Sequence, residues 1–167
     1  MTETCLEWIE HCVKNYAVSG KVLEVGSMDV NGNPRHLFTD SSRFDDYIGI
    51  DMREGRCVDL VMNSQELGFP DESFGVVVDS ERMEHDNRFW VTIKEQFRVL
   101  KSGGHLIITT RSWGGFPPHN FPSDYWRFMD SGIRDLLEYA GFTCLATAYG
   151  EKSPCGFRAV FAIGRKP

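Results

Sequence analysis

The sequence predicts an α/β protein, a sheet of short apolar strands alternating with helices in one domain over residues 1–167. Three observations predict it. Val22, Leu23 and Val25 form a β-branched apolar run that stops at Gly26 and opens into the small, polar, turn-forming stretch 27–33. Phe74 to Val78 and His105 to Thr110 are further runs of buried-strand character. Between them lie segments whose apolar residues recur at helical spacing. A buried strand that opens into a Gly/Asn/Asp loop is expected to leave free backbone N–H groups at the carboxyl edge of the sheet. In open α/β sheets, ligands bind at that edge.

Taken in order, Thr4 and Glu7 have capping-box spacing, followed by Leu6, Ile9, Val13 and Tyr16 on one face. This predicts an N-terminal helix within residues 1–20, ending near Gly20. The first strand is 21–26. Pro34 to Thr39 forms a short helix with proline in its first turn. Tyr47 to Ile50 is the second strand, ending at Asp51, and Val58 to Met62 the third. Phe69 to Ser73 is a turn before the fourth strand, 74–78. Asp86 or Asn87 caps a helix in which Trp90, Ile93, Phe97 and Leu100 share a face, and Gly103–Gly104 stops it before the fifth strand, 105–110. Asp130 caps a helix through Tyr139 that closes at Gly141, and strands at about 142–149 and 157–164 complete the chain.

Apolar content of 41% is that of an ordinary globular protein. No apolar run approaches the ~18 residues of a membrane span, and the first residues lack a signal peptide's basic and apolar regions. Five cysteines, odd in number and without a C-x-x-C pair, read as reduced packing thiols. Together these predict a cytoplasmic protein without a membrane or metal role. A net charge of −6 disfavours nucleic acid as partner and is compatible with a small-molecule substrate and a cationic ligand. Met28 and Asn31 break the G-x-G-x-x-G pattern of a dinucleotide loop, which argues against a nicotinamide-dependent oxidoreductase.

Five stretches in register resemble the class I S-adenosylmethionine-dependent methyltransferases, in their ubiquinone/menaquinone-biosynthesis-like subset. They are V-L-E-V-G at 22–26, Y-I-G-I-D at 47–51, E-L-G-F-P-D-E-S-F-G-V-V-V-D at 66–79, M-E-H-D at 83–86 and F-R-V-L-K-S-G-G-H-L-I-I-T-T at 97–110. The resemblance covers roughly residues 20–145. It implies a Rossmann-like seven-stranded sheet, six strands parallel and the last antiparallel, flanked by helices on both faces. It also implies S-adenosyl-L-methionine as cofactor and methyl transfer to an oxygen or nitrogen of a small molecule or sugar, by a monomer or homodimer. The alternative is a non-catalytic module or partner subunit that binds the cofactor or its demethylated product.

The resemblance assigns cofactor-binding positions. Asp51, an acid at the end of the second strand, would accept both ribose hydroxyls, with Met52 beside it. Gly26 would let the backbone approach the ligand where a Cβ would collide. Glu24 would sit near the methionine amino group or order the loop. Ser27 and Asn31 would contribute mainly backbone. Asn63 would accept from the adenine amine, where relatives usually carry Asp, and Ser64 would offer its N–H to the ring. Asp79 would face the methionine end. Arg82 stands where many relatives are apolar, and a cation near a sulfonium is unfavourable. It is therefore expected to point outwards or to bind an anionic substrate.

For a hydroxyl acceptor, the protein must align the reactants, exclude water and remove a proton. His85 and His119 are the candidate bases, because imidazole titrates near neutrality. The aromatic-rich segment W-G-G-F-P-P-H-N-F-P-S-D-Y-W-R-F, within 111–128, is expected to form a lid over the acceptor. Trp113, His119, Tyr125, Trp126 and Arg127 are its candidate acceptor contacts. The alternative is that the aromatics merely cover the sheet edge and that Arg127 pairs with Asp124 or Asp130.

Overall fold

The computed structural model describes residues 1–114, 118 and 123–167. Helix α1 spans Glu3–Asn15 and buries Cys5, Ile9, Cys12 and Val13. Its cap is Thr2, whose hydroxyl accepts the Cys5 N–H, and not Thr4. It ends before Gly20 because Tyr16 is extended and Arg43 Nη2 donates to the Val13 and Val18 carbonyls at 2.7 and 3.0 Å. Those bonds satisfy acceptors that another helical turn would have used.

Strand β1 (Val22–Val25) is buried throughout. A 3₁₀ turn, Pro34–Phe38, follows, capped by Asn33, whose side chain accepts the Arg35 N–H at 2.8 Å. Then come β2 (Tyr47–Asp51), β3 (Leu60–Val61) and β4 (Phe74–Ser80). β3 is shorter than its apolar run suggests: it lies at the sheet edge, pairs only with β2, and both its residues are exposed. A second 3₁₀ turn, Met83–His85, leads to helix α2 (Phe89–Val99).

Arg88 stands at the α2 cap and makes no side-chain cap bond, while Asp86, two residues earlier, accepts the Arg88 N–H at 2.9 Å. The buried face of α2 is Thr92, Ile93, Gln96 and Val99, so Trp90 is left outward at 39% exposure. Leu100 already belongs to β5 (Leu100–Arg111), and the Gly103–Gly104 pair lies inside that strand instead of stopping a helix. Helix α3 (Asp130–Ala140) begins at Asp130, with Met129 in the cap position, and closes at Gly141 with φ +106°. β6 (Thr143–Ser153) and β7 (Gly156–Arg165) form a hairpin.

The sheet order is β3-β2-β1-β4-β5-β7-β6, parallel through β5, with β7 antiparallel to both β5 and β6. Alternation along the strands separates two cores. Leu23, Val25, Val77, Leu106 and Ile108 pack with Ile93 of α2 and Ile133 and Leu137 of α3. Val22, Val76, Val78 and Ile107 pack with Ile9, Cys12 and Val13 of α1. The strand order reverses between β1 and β4, so the loops after these two strands diverge there and leave a crevice at the carboxyl ends.

Candidate functional site

Register sets the frame of the site. Val25 pairs with Ile50 on one side and Asp79 on the other, which brings Gly26, Asp51 and the end of β4 to one edge. A cleft there is lined by Val25, Gly26, Ile50, Asp51, Met52, Met62, Ser64 and Arg82, and its volume is about 50 Å³. A larger groove of about 440 Å³ lies away from these strand tips, among Asp71, Glu72, Phe97, Arg98 and Lys166. It gathers no catalytic chemistry, because Arg98 there is committed to Glu95, Asp71 and the carbonyls of Phe69 and Leu67.

Gly26 adopts φ +84°, a conformation that favours glycine. Its N–H and that of Ser27 both donate to the Ile50 carbonyl, at 2.9 and 3.0 Å. The Asp29 N–H goes to the Arg56 carbonyl and the Gly32 N–H to the Asp29 carboxylate. These amides, expected to be free for a ligand, are therefore spent inside the fold. Ser27 is buried with its hydroxyl unpartnered and turned towards Gly49. Asn31 is exposed and does not line the cleft.

Asp51 is half-buried, accepts the Arg53 N–H at 3.2 Å and makes no ion pair within 4.0 Å among the described residues. Met52 lines the cleft while remaining 64% exposed. Asn63 is exposed, and its side-chain oxygen accepts the Gln65 N–H at 3.0 Å, closing its own turn. Ser64 is buried, with its hydroxyl beside those of Thr92 and the guanidinium of Arg82, each at 3.3 Å.

Glu24 is buried at the centre of β1 and accepts from Asn33 Nδ2 at 2.8 Å and the Tyr47 hydroxyl at 2.9 Å. Burial pushes its pKa up to about 7, against the pull of those two donors. Asn33 also donates to the Ser27 carbonyl, so Glu24 anchors both ends of loop 27–33 through one side chain. Neither Asn33 nor Tyr47 stood out in the sequence, and their separations from Glu24 left no local signal.

Arg82 is the main departure from expectation. It points inward. Its stem lies against Gly26, where an added Cβ would stand 3.0 Å from Arg82 Cβ and 3.2 Å from Cγ. Its head donates to both oxygens of Asp79 (3.0 and 2.6 Å) and to Asp86 (2.7 Å). Burial opposes its charge, but Asp79 and then Asp86 outweigh this and hold the guanidinium protonated. With two carboxylates already satisfying it, Arg82 is not an anion receptor. The spacing that signalled this was present in the sequence: Asp79 is three residues before Arg82 and Asp86 four after.

Asp79 also accepts from Gln96 Nε2 at 2.5 Å. Asp86 accepts from Thr92, Gln65 and the Arg88 N–H, and with Arg82 these keep its carboxyl below the usual range despite burial. Glu84, another residue absent from the sequence-based candidates, is buried, accepts from Thr110 at 2.8 Å and lies 3.5 Å from Arg111 Nε. Burial raises its pKa.

Residues 84–86 hold what is described of the aromatic segment. The Glu84 carbonyl accepts the N–H groups of Tyr125 (2.7 Å) and Trp126 (3.3 Å), and the Asp86 carbonyl accepts Trp126 Nε1 at 2.9 Å. His85 Nδ1 bonds the Ser123 carbonyl, and its Nε2 is 3.9 Å from Glu84 Oε1. A carbonyl only accepts, so Nδ1 donates in this bond. Trp126 meets Phe89 and Trp90 edge to face. Trp113 packs over Gly156, Tyr125 is half-exposed, and both nitrogens of the Arg127 fork are held by Asp124. His119, the other candidate base, and residues 115–117 and 120–122 lie outside the described residues.

No helix among the described residues is long and apolar enough to cross a membrane, and no three His, Cys, Asp or Glu side chains there are grouped to hold a metal. The polar groups suit a nucleoside ligand. A carboxylate and a positive-φ glycine both line the cleft at the strand tips, and the side chain of Arg82 lies against that glycine.

Comparison with known proteins agrees. Residues 20–108, just over half the chain, match the family model described as a methyltransferase domain. No curated protein matches in sequence. Among solved structures, the 1,6-didemethyltoxoflavin N1-methyltransferase of Burkholderia thailandensis superposes with a TM-score of 0.78 at 16% identity, over 98% of this chain and 79% of that one. A SAM-dependent methyltransferase of Archaeoglobus fulgidus gives 0.74 at 16%, over 96% and 94%. One from Mesorhizobium loti gives 0.73 at 11%, over 96% and 98%. With its strand order, its strand-tip glycine and carboxylate and the family match in agreement, the chain belongs to the class I methyltransferases, the family that uses S-adenosylmethionine.

Proposed function

We propose that this chain transfers a methyl group from S-adenosylmethionine to an oxygen or nitrogen of a small molecule or sugar. The observation that carries the reading is Asp51, a carboxylate with no ion pair within 4.0 Å among the described residues, on the cleft wall with Gly26. Asp51 would accept the ribose hydroxyls, and Gly26 and Ser64 would line the rest of the nucleoside's place. Met52 would cover one side. Glu24 acts through Asn33 by holding the loop, and Asn63 shapes the turn that carries Ser64. The bound cofactor supplies an electrophilic methyl on a sulfonium, whose leaving group is a neutral thioether.

The chain's own residues then have three tasks. Trp113, Tyr125 and Trp126 present partly exposed rings against which a planar or sugar acceptor stacks, excluding water. Arg127, braced by Asp124, fixes that segment's entry. His85 takes the acceptor's proton at Nε2, with Glu84 nearby to stabilise the imidazolium. His119 is retained as a second candidate base. The Burkholderia relative was solved with bound 1,6-didemethyltoxoflavin and S-adenosylhomocysteine, which supports a small-molecule acceptor.

Titration calorimetry with S-adenosylhomocysteine tests the cofactor assignment. Asp51→Ala removes charge-assisted hydrogen bonds, for a loss of about 10- to 100-fold in affinity; unchanged affinity refutes it. A second reading, cofactor binding without turnover, is favoured by the small cleft and by the Asn63 oxygen being spent in its own turn. Transfer of a labelled methyl to any member of a metabolite panel decides for the enzyme.

A further inference from the structure

The geometry points to Arg82 as an internal occupant of the cofactor cleft, a tethered cation that must swing out before S-adenosylmethionine enters. This rests on the cofactor reading above. Three observations carry it. The cleft holds about 50 Å³, whereas small-molecule sites usually measure about 300–1,000 Å³. The side chain reducing it is identified, since Arg82 lines the cleft and lays its stem along Gly26, the backbone position that a nucleoside would approach. The head of Arg82 sits between two buried carboxylates, at 2.6 Å from Asp79 and 2.7 Å from Asp86.

The network is also built to survive the departure of Arg82. Asp79 keeps Gln96 Nε2 at 2.5 Å. Asp86 keeps the Thr92 hydroxyl at 2.5 Å, Gln65 Nε2 at 2.7 Å and the Arg88 N–H at 2.9 Å. A buried ion pair stripped of one member normally leaves an unsolvated charge. Here neutral donors remain, and the incoming ligand brings cations of its own, an ammonium and a sulfonium. With Arg82 in place the trio carries one net negative charge; with Arg82 out, the two carboxylates carry two. Entry of S-adenosylmethionine is thus an exchange of one cation for another. S-adenosylhomocysteine, which lacks the sulfonium, gains less from it.

The tests are a structure and a binding measurement. In a co-crystal of the wild-type chain with S-adenosylhomocysteine, the guanidinium is expected to have left Asp79 and Asp86; a ligand bound with Arg82 unmoved overturns the proposal. By calorimetry, Arg82→Met, checked for native circular dichroism, should bind S-adenosylmethionine at least about tenfold more tightly than wild type, because no tethered competitor remains. Its preference for S-adenosylmethionine over S-adenosylhomocysteine should rise as well. Equal or weaker binding by the folded variant overturns the proposal and leaves the cofactor reading standing. If folded wild type and variant both ignore both nucleosides at millimolar concentration, the cofactor reading fails with it. Should Arg82→Met not fold, the co-crystal alone decides.

Discussion

Glu24→Gln should abolish a loss of stability that the wild-type protein suffers between pH 5 and pH 8. In the fold, Glu24 is 1% exposed, its donors Asn33 and Tyr47 are neutral, and the Arg35 charge and Ser80 hydroxyl offset its burial only in part. Burial therefore wins, and the carboxyl pKa stands at about 7 instead of 4.5. A raised folded-state value means that the native protein holds this proton more tightly than the unfolded chain. The resulting stabilisation is complete below pH 4.5 and is lost as pH climbs through 7. A separation of about 2.5 units corresponds to roughly 3 kcal/mol in all, of which between about 2 and 3 kcal/mol disappears from pH 5 to pH 8. At about 2–4 °C per kcal/mol for a chain of this size, the melting temperature should fall by about 5–10 °C over that interval. Glutamine is isosteric and cannot ionise, so its curve lacks this fall. Carboxylates held below their usual range, such as Asp86 and Glu95, contribute the opposite slope to both proteins and cancel in the difference. Thermal unfolding at pH 5, 6, 7 and 8, wild type minus variant, is the assay. A flat difference, or a variant that gains relative to wild type towards acid, refutes the account of Glu24 as a buried acid satisfied by neutral donors.

Two further outcomes follow from the site. His85→Gln should preserve the bond to the Ser123 carbonyl and lose the base, lowering methyl transfer by about 10²–10⁴-fold; cofactor affinity measured by calorimetry should stay unchanged, and equal turnover would shift the role to His119. Trp126→Ala removes ring contacts with Phe89 and Trp90 and the bond to the Asp86 carbonyl. It should cost about 1–3 kcal/mol in urea unfolding.

The fold was readable where local chemistry and burial agree. β1 and β4 are β-branched, buried on both sides and close to their expected bounds. The carboxylate at the end of β2 and the positive-φ turn at Gly26 are likewise local features. β3 was over-read: Val58 to Met62 has strand composition, yet as an edge strand it finds a partner for two residues only. Arg82 turns inward because Asp79 and Asp86, at pairing distance along the chain, compete for its charge more strongly than solvent does. The links from Glu24 to Tyr47, 23 residues on, and from Asp86 to Trp126, 40 on, depend on the sheet order and have no local signature.

Four buried acids, Glu24, Asp79, Glu84 and Asp86, lie on β1, β4 or the turn after β4. Folding alone does not ask for them, since well-packed apolar side chains usually serve as well as buried ion pairs or better. Each is compensated differently. Glu24 has neutral donors, Asp79 and Asp86 share one arginine, and Glu84 has a threonine hydroxyl with Arg111 at the margin. Equal burial therefore yields unequal acidity, with Glu24 and Glu84 shifted up and Asp86 shifted down. One end of one sheet thus holds both a proton that titrates near neutrality and a carboxylate, Asp86, held below its usual range. Packing alone explains neither kind of group, and this edge of the sheet, beside the candidate cleft, is where the chain bears the cost of burying them.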